Sequence, residues 1–282
     1  MRHAVPLLAA LEYAAAGIPV LPLHTAVAGG SCSCGAARCD RAGKHPRWRP
    51  GLITSGLREA STDPVRLCRW WSVWPAANIG LRTGVVVDVC DIDTPAGLHR
   101  VRELLGGALA GLPAVRTGSG GVHLYLAATG MTNRVGLLPG VDWRGVGGYV
   151  VAPPSRHASG ARYGWVRSFE RTPASCPAEL LRLLAPRPVR PRAPITSLRN
   201  PSRYAVVALD REAGRVRSAP VGQRNNTLYR ATRRLGELAA VGLLSEPEIA
   251  VALLRAGRAA GLGPAEVART IRSGLHAARP AA

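Results

Sequence analysis

GVVVDVCDID, residues 84–93, is the stretch on which the reading of the chain turns. It is an apolar run of strand length, closed by Thr94-Pro95, and its valines suit a strand buried on both faces. Yet it carries Asp88, Asp91 and Asp93, and a buried, unpaired carboxylate is costly. Strand side chains alternate, so Asp91 and Asp93 share a face about 6–7 Å apart. Asp88 points the other way if the strand is regular; a bulge would instead align Asp88 with Asp91. Two carboxylates on one face repel unless a cation lies between them, and Mg²⁺ or Mn²⁺ prefers oxygen ligands. The same D-x-D could also be a strand end open to water.

The totals set the frame. Of 282 residues, 37 are basic and 17 acidic, a net charge of +20, and Lys44 is the only lysine. So basic a chain points to a polyanionic partner, usually nucleic acid. No apolar run reaches the roughly 18 residues of a membrane span. Glu12 interrupts the apolar N-terminal stretch, which reads as a helix over 4–17, with Leu7, Leu8, Leu11 and Ala15 on one face, rather than a signal peptide. A cytoplasmic protein with no membrane partner is expected, its six cysteines being thiols or metal ligands.

Elements alternate irregularly, which predicts an α+β fold: a mixed or antiparallel sheet with flanking helices, then a small all-helical domain. Residues 1–186 form the expected first domain, with a Cys-rich loop at 28–46. Residues 187–202, rich in Pro and Arg, read as a linker. Residues 203–282 read as a basic helical bundle; from 187 onward there are 17 basic and 6 acidic residues, a charge of +11. Trp70, Trp71 and Trp74 lie on a helix after STDP; two of them are expected to pack it onto the sheet. Arg224, Arg230, Arg233 and Arg234 form a basic stretch that could track a phosphate backbone.

Three further motifs carry chemistry. In RTGSGGVHLYL (116–126), the turn at Ser119, Gly120 and Gly121 could present backbone N–H groups to a phosphate, with His123 and Tyr125 on one face of the next strand. A plain hairpin is the alternative. In PGVDWRGVGGYVVAPPS (139–155), Asp142 could complete a metal set and Arg144, two residues on, could meet a phosphate or form an ion pair. In CSCGAARCDRAGKHP (32–46), Cys32, Cys34, Cys39 and His45 could form a tetrahedral Zn²⁺ site. Alternatively the thiols stay reduced, with Lys44 and His45 facing nucleotide or nucleic acid.

In this order, the D-x-D strand, S-G-x-x-H-x-Y, D-x-R-G and G-G-Y-V-V-A-P-P-S resemble the bifunctional primase–polymerase (Prim-Pol) domain of the archaeo-eukaryotic primase superfamily, over about residues 5–186. The resemblance implies nucleotidyl transfer at a two-metal site holding Mg²⁺ or Mn²⁺, with Asp91 and Asp93 as the paired acids and Asp142 as the third. His123 would be the nucleotide-binding histidine, aided by Arg144 and the Ser119–Gly121 turn. Single-stranded DNA template and nucleoside triphosphates would be the partners. A Cys-rich loop ending in G-K-H-P also occurs in Prim-Pol-like chains, and the basic tail resembles the helical domain that follows the catalytic one in some members. Many such chains carry a helicase domain beyond; here the expectation is a helicase in trans or another role, such as gap filling or mobile-element replication. The sequence leaves two alternatives: a non-catalytic DNA-binding replication or regulatory module, and a nuclease using the same acids.

Overall fold

The computed structural model describes residues 4–36, 39–168, 173–185 and 200–279. The chain divides into two compact units, residues 1–187 and 188–282. Most of the expected linker lies outside the described residues, although Pro201 and Ser202 already belong to a helix that Asn200 caps.

In chain order the first unit comprises α1 (Ala4–Ala15), β1 (Val20–Leu23), α2 (Pro64–Val73), β2 (Asn78–Arg82), β3 (Val87–Ile92), α3 (Pro95–Leu105), β4 (Ala114–Arg116), β5 (Val122–Ala127), β6 (Arg134–Leu138), β7 (Val141–Arg144), β8 (Tyr149–Ala152), β9 (Gly164–Arg167) and α4 (Ala178–Leu184). Two sheets form, one ordered β1-β2-β8 and one ordered β6-β7-β3-β5-β4-β9. Every ladder between these strands is antiparallel. The expected α+β architecture is therefore present. The two strands of 139–155, however, enter different sheets: β7 joins the large one and β8 the small one.

The alternation along β3 divides the core. Val87 and Val89 join Val115, Tyr125 and the small sheet in a cluster with α1 and α2, which includes the buried Trp70 and Trp71. Cys90 and Ile92 face the opposite way, against Leu124, Trp143, Val101 of α3 and Leu180 of α4. A strand with a packed layer on either side needs apolar residues at both parities, hence the near-continuous run in the sequence. Asp63 and Thr94 cap α2 and α3, each followed by proline at the first helical position.

The face expected of α1 is corrected in part: Leu7 and Leu11 pack against the first of these clusters, but Ala15 is exposed. Leu8 is exposed, and Ala10, Tyr13 and Ala14 are the buried residues. Two alanines let the helix backbone approach its neighbours closely, and that packing outweighs the larger side chain's hydrophobicity.

The second unit is helical: α5 (Pro201–Arg217), α6 (Arg224–Ala239), α7 (Glu246–Ala259) and α8 (Pro264–Ala278). Leu228, Ala231, Leu235, Ile249, Leu253, Val267 and Ile271 recur at helical spacing and form its core. The capping box from Ser245 to Glu248 is formed. Glu212, nearly buried on α5, accepts from Arg215 at 2.6 Å and from Arg234 on α6 at 3.1 Å. Among the described residues no helix is long and apolar enough to cross a membrane.

Candidate functional site

β3 is central to the site because both its neighbours place polar groups beside Asp91. Its register with β5 pairs Asp91 with His123, and its register with β7 pairs Asp91 with Asp142. Directly opposed residues of adjacent strands share a face, so the ladder alone sets His123, Asp91 and Asp142 in one row. Asp93 follows just past the end of β3, its backbone N–H donating to the Gly140 carbonyl at 3.0 Å. Ligand-type oxygens of Asp91, Asp93 and Asp142 all lie within 4.8 Å of one another.

The β3–β5 register runs unbroken from Val87 to Ile92, so there is no bulge and Asp88 faces away from this row. Asp88 is fully buried, and its Oδ2 accepts from the Thr129 backbone N–H at 2.8 Å and hydroxyl at 2.7 Å. Burial raises its pKa, against the pull of the Thr129 bonds. One of the three acids is thus an anchor for the turn after β5.

Charge around Asp91, Asp93 and Asp142 is tightly arranged. Arg144 donates from Nε and Nη2 to Asp91 Oδ2 at 3.2 and 3.1 Å, and from Nη2 to Asp142 Oδ2 at 2.8 Å. Asp142 Oδ1 also accepts from the Gly136 N–H at 2.8 Å. His123 Nε2 lies 3.3 Å from Asp91 Oδ1. Burial raises the Asp91 carboxyl, but the hydrogen bond and charge of His123, with Arg144, outweigh it and hold the pKa down at about 2. Asp93 stands at the mouth. Its carboxyl is raised, first by the protein packed around it and then by the charges of Asp91 and Asp142, while Arg144 and Lys44 oppose.

Asp91 and Asp93, with Asp142 set behind them, border a cleft of about 390 Å³, lined also by Lys44, Arg41, Thr117, Ser119, Asn133, Arg144, Tyr149 and Tyr163. Of the glycine turn, only Thr117 and Ser119 line it, their hydroxyls 3.0 Å apart. The Gly120 N–H donates to Thr117 O within the turn. Gly121 abuts the end of β3, where a β-carbon would lie 2.5 Å from the Ile92 carbonyl. That close packing accounts for a glycine there. The turn thus offers hydroxyls to the cleft, and its backbone serves mainly the hairpin.

The second donor set is local. Cys32 Sγ and Cys39 Sγ lie 3.4 and 3.5 Å from His45 Nε2, and with Cys34 the four ligand atoms fall within 4.8 Å of one another. Burial raises the Cys32 thiol, but the N–H groups of Gly43 and Cys34 overcome it and lower its pKa. Burial raises Cys39 to about 11, with the neighbouring thiols adding to the shift. Soft sulfur and imidazole donors at this number and spacing fit a tetrahedral zinc ion; the all-oxygen row fits Mg²⁺ or Mn²⁺.

In the second unit, Arg230 and Arg233 are exposed one turn apart on α6. Arg234 is engaged by Glu212, and Arg224 is only half exposed, its Nε buried. Sequence reasoning assigned no cleft role to Arg41, Asn133, Tyr149 or Tyr163. The G-K-H-P ending was the one signal that led toward Lys44.

The geometry defines a class: an α+β domain that gathers oxygen ligands for divalent metal beside basic and hydroxyl groups suited to phosphate. Within that class, the family model for the N-terminal domain of bifunctional DNA primase/polymerase matches residues 10–179, more than half of the chain. The chain belongs to this family, and nucleotidyl transfer on DNA and nucleotide substrates is what membership implies. No curated protein matches the sequence.

Proposed function

We propose that this chain is a DNA primase/polymerase that extends or initiates a strand on a single-stranded DNA template. The 3′-hydroxyl oxygen would attack the α-phosphorus of an incoming nucleotide; the bond to pyrophosphate breaks and pyrophosphate leaves. The observation that carries the reading is the convergence of Asp91, Asp93 and Asp142 within 4.8 Å, with Asp91 and Asp93 lining a cleft that Arg41, Lys44 and Arg144 also line. Those three side chains would hold Mg²⁺ or Mn²⁺. When bound, such ions neutralise a triphosphate and activate a hydroxyl.

The chain's own groups do the rest. His123 and the Gly136 N–H orient Asp91 and Asp142. Arg144 pairs with both acids and offsets part of their charge, and its guanidinium would be able to turn to phosphate if metal took its place. Ser119 and Thr117 hydroxyls donate to phosphate oxygens. Cys32, Cys34, Cys39 and His45 would hold structural zinc. The exposed Arg230 and Arg233 would contact the template backbone, a contribution that weakens with salt.

The test is incubation with single-stranded template, labelled ribo- or deoxynucleotides and Mg²⁺ or Mn²⁺, with and without primer, beside Asp91→Ala. Template-complementary product from the intact chain alone is expected; product without primer makes it a primase. No product with any metal, while both proteins still bind DNA, leaves a non-catalytic binding module instead. Loss of template without added nucleotides would indicate a nuclease.

A further inference from the structure

The acidic row leaves one cation of the cleft without a task. Lys44 is the only lysine of the sequence, and although it belongs to the Cys/His loop it lines the cleft with Asp91, Asp93 and Ser119. Arg144 already pairs with Asp91 and Asp142. Among the described residues the Lys44 ammonium has no ion-pair partner within 4 Å, although its field draws down both Asp93 and His157.

The backbone beneath that ammonium is fixed from several sides. The Tyr149 hydroxyl donates to the Lys44 carbonyl at 2.9 Å, and itself lies 3.4 Å from Arg41 Nη2. Asn78 Nδ2 donates to the Gly43 carbonyl at 2.9 Å, and the His24 N–H to the His45 carbonyl at 2.9 Å. Gly43 has φ +73°, and a β-carbon there would lie 2.9 Å from the Ala26 nitrogen, so the loop enters Lys44 through a conformation and a space that only glycine accepts. His45, the next residue, faces Cys32 and Cys39. A rigid backbone therefore presents a mobile point charge to the cleft.

The charge balance shows what that cation faces. Asp91, Asp93 and Asp142 are equalled in number by the cations Arg144, Arg41 and Lys44. Divalent metal at the acids leaves the cleft positive, and a triphosphate supplies the missing negative charge. A lysine ammonium on a flexible stem suits a phosphate group that shifts as its bond breaks.

We infer that Lys44, with Arg41 beside it, binds the β- and γ-phosphates of the incoming nucleotide and the departing pyrophosphate, and that the Cys/His loop serves to hold the two cations there. The inference rests on the reading of the cleft as a nucleotide site.

A single lysine makes a direct test practical. The full chain is treated with pyridoxal 5′-phosphate and borohydride in Mg²⁺, which fixes the aldehyde to an amine, and the label is located by peptide mass. Labelling of Lys44 is expected, slowed about tenfold or more by ATP, dATP or inorganic pyrophosphate and not by adenosine. In steady state, Lys44→Ala should raise the nucleotide KM by about tenfold or more with kcat changed far less, and Lys44→Arg should recover part of it. His45→Ala should raise KM in the same direction. Lys44 labelling that triphosphate leaves unchanged overturns the inference, whatever the KM values. Protection of Lys44 in a chain that makes no product would sink the polymerase reading and leave the phosphate site standing; templated product with unprotected Lys44 would do the reverse.

Discussion

The two donor clusters of the first unit are built by opposite means. The carboxylates come from positions 91, 93 and 142, and are aligned by the ladders joining β3 to β5 and β7. The thiols and imidazole come from residues 32–45 of one loop, tied down by isolated bonds to its surroundings. The difference teaches where metal is needed. The acidic row is assembled by the sheet, and Arg144 supplies positive charge to it. Among its described residues the loop has no ladder or core of its own, so a bound ion would contribute to its folding directly. One cluster would use metal for chemistry, the other for shape.

The largest expected effect separates those uses. Replacing both Asp91 and Asp93 by alanine should lower product formation by more than about a thousandfold, since no residual ligand pair would hold metal, and losing the Asp91 contacts to Arg144 and His123 should also lower the melting temperature. Cys39→Ser should act on the other axis. Zinc content, measured by mass spectrometry on the purified chain, should fall from one ion per chain, and stability should drop by about 2–4 kcal/mol in denaturant melts.

Asp88→Ala then tests whether the acids of β3 differ by face. It strands the Thr129 N–H and hydroxyl, so a loss of about 1–3 kcal/mol is expected, with activity kept below the melting transition. Arg144→Ala removes that positive charge. Mn²⁺ binding without nucleotide, followed by electron paramagnetic resonance, should tighten by about tenfold, while turnover falls; unchanged Mn²⁺ affinity would mean that Arg144 and metal do not compete.

The smallest effect is in pH. Asp91 has a folded pKa of about 2, below its unfolded value of about 3.9. Its ionised form therefore adds stability above about pH 4, and that contribution disappears as pH falls through about 2. Asp93 is shifted upward, so its ionised form is disfavoured in the metal-free fold as pH rises past its pKa. Added Mn²⁺ relieves this, and should raise the melting temperature more at pH 7 than at pH 4, a difference that Asp93→Asn should reduce.

Much of the acidic row was legible because a strand repeats every two residues. Alternation alone put Asp91 and Asp93 on one face and Asp88 on the other. That His123 and Asp142 flank Asp91 depends on strand order, which periodicity does not carry; the family resemblance, not spacing, joined them. Arg144 was legible as a neighbour of Asp142, two residues away, but its two bonds to Asp91 needed β7 beside β3. The link from Lys44 to Tyr149 spans 105 positions through a backbone carbonyl, and no local pattern announces such a bond. Helix α1 was legible in part: Leu7 and Leu11 pack on the core as expected, but Ala10 is buried where hydrophobicity ranked the exposed Leu8 above it.

The most direct test of the central claim is single-nucleotide extension of a labelled primer on a defined template, using the intact chain and Asp93→Asn side by side in Mn²⁺. Assembly of Asp91, Asp93 and Asp142 around catalytic metal predicts addition of the complementary nucleotide alone, by the intact chain alone. Equal extension by Asp93→Asn, or none by either chain while template remains bound, would contradict it.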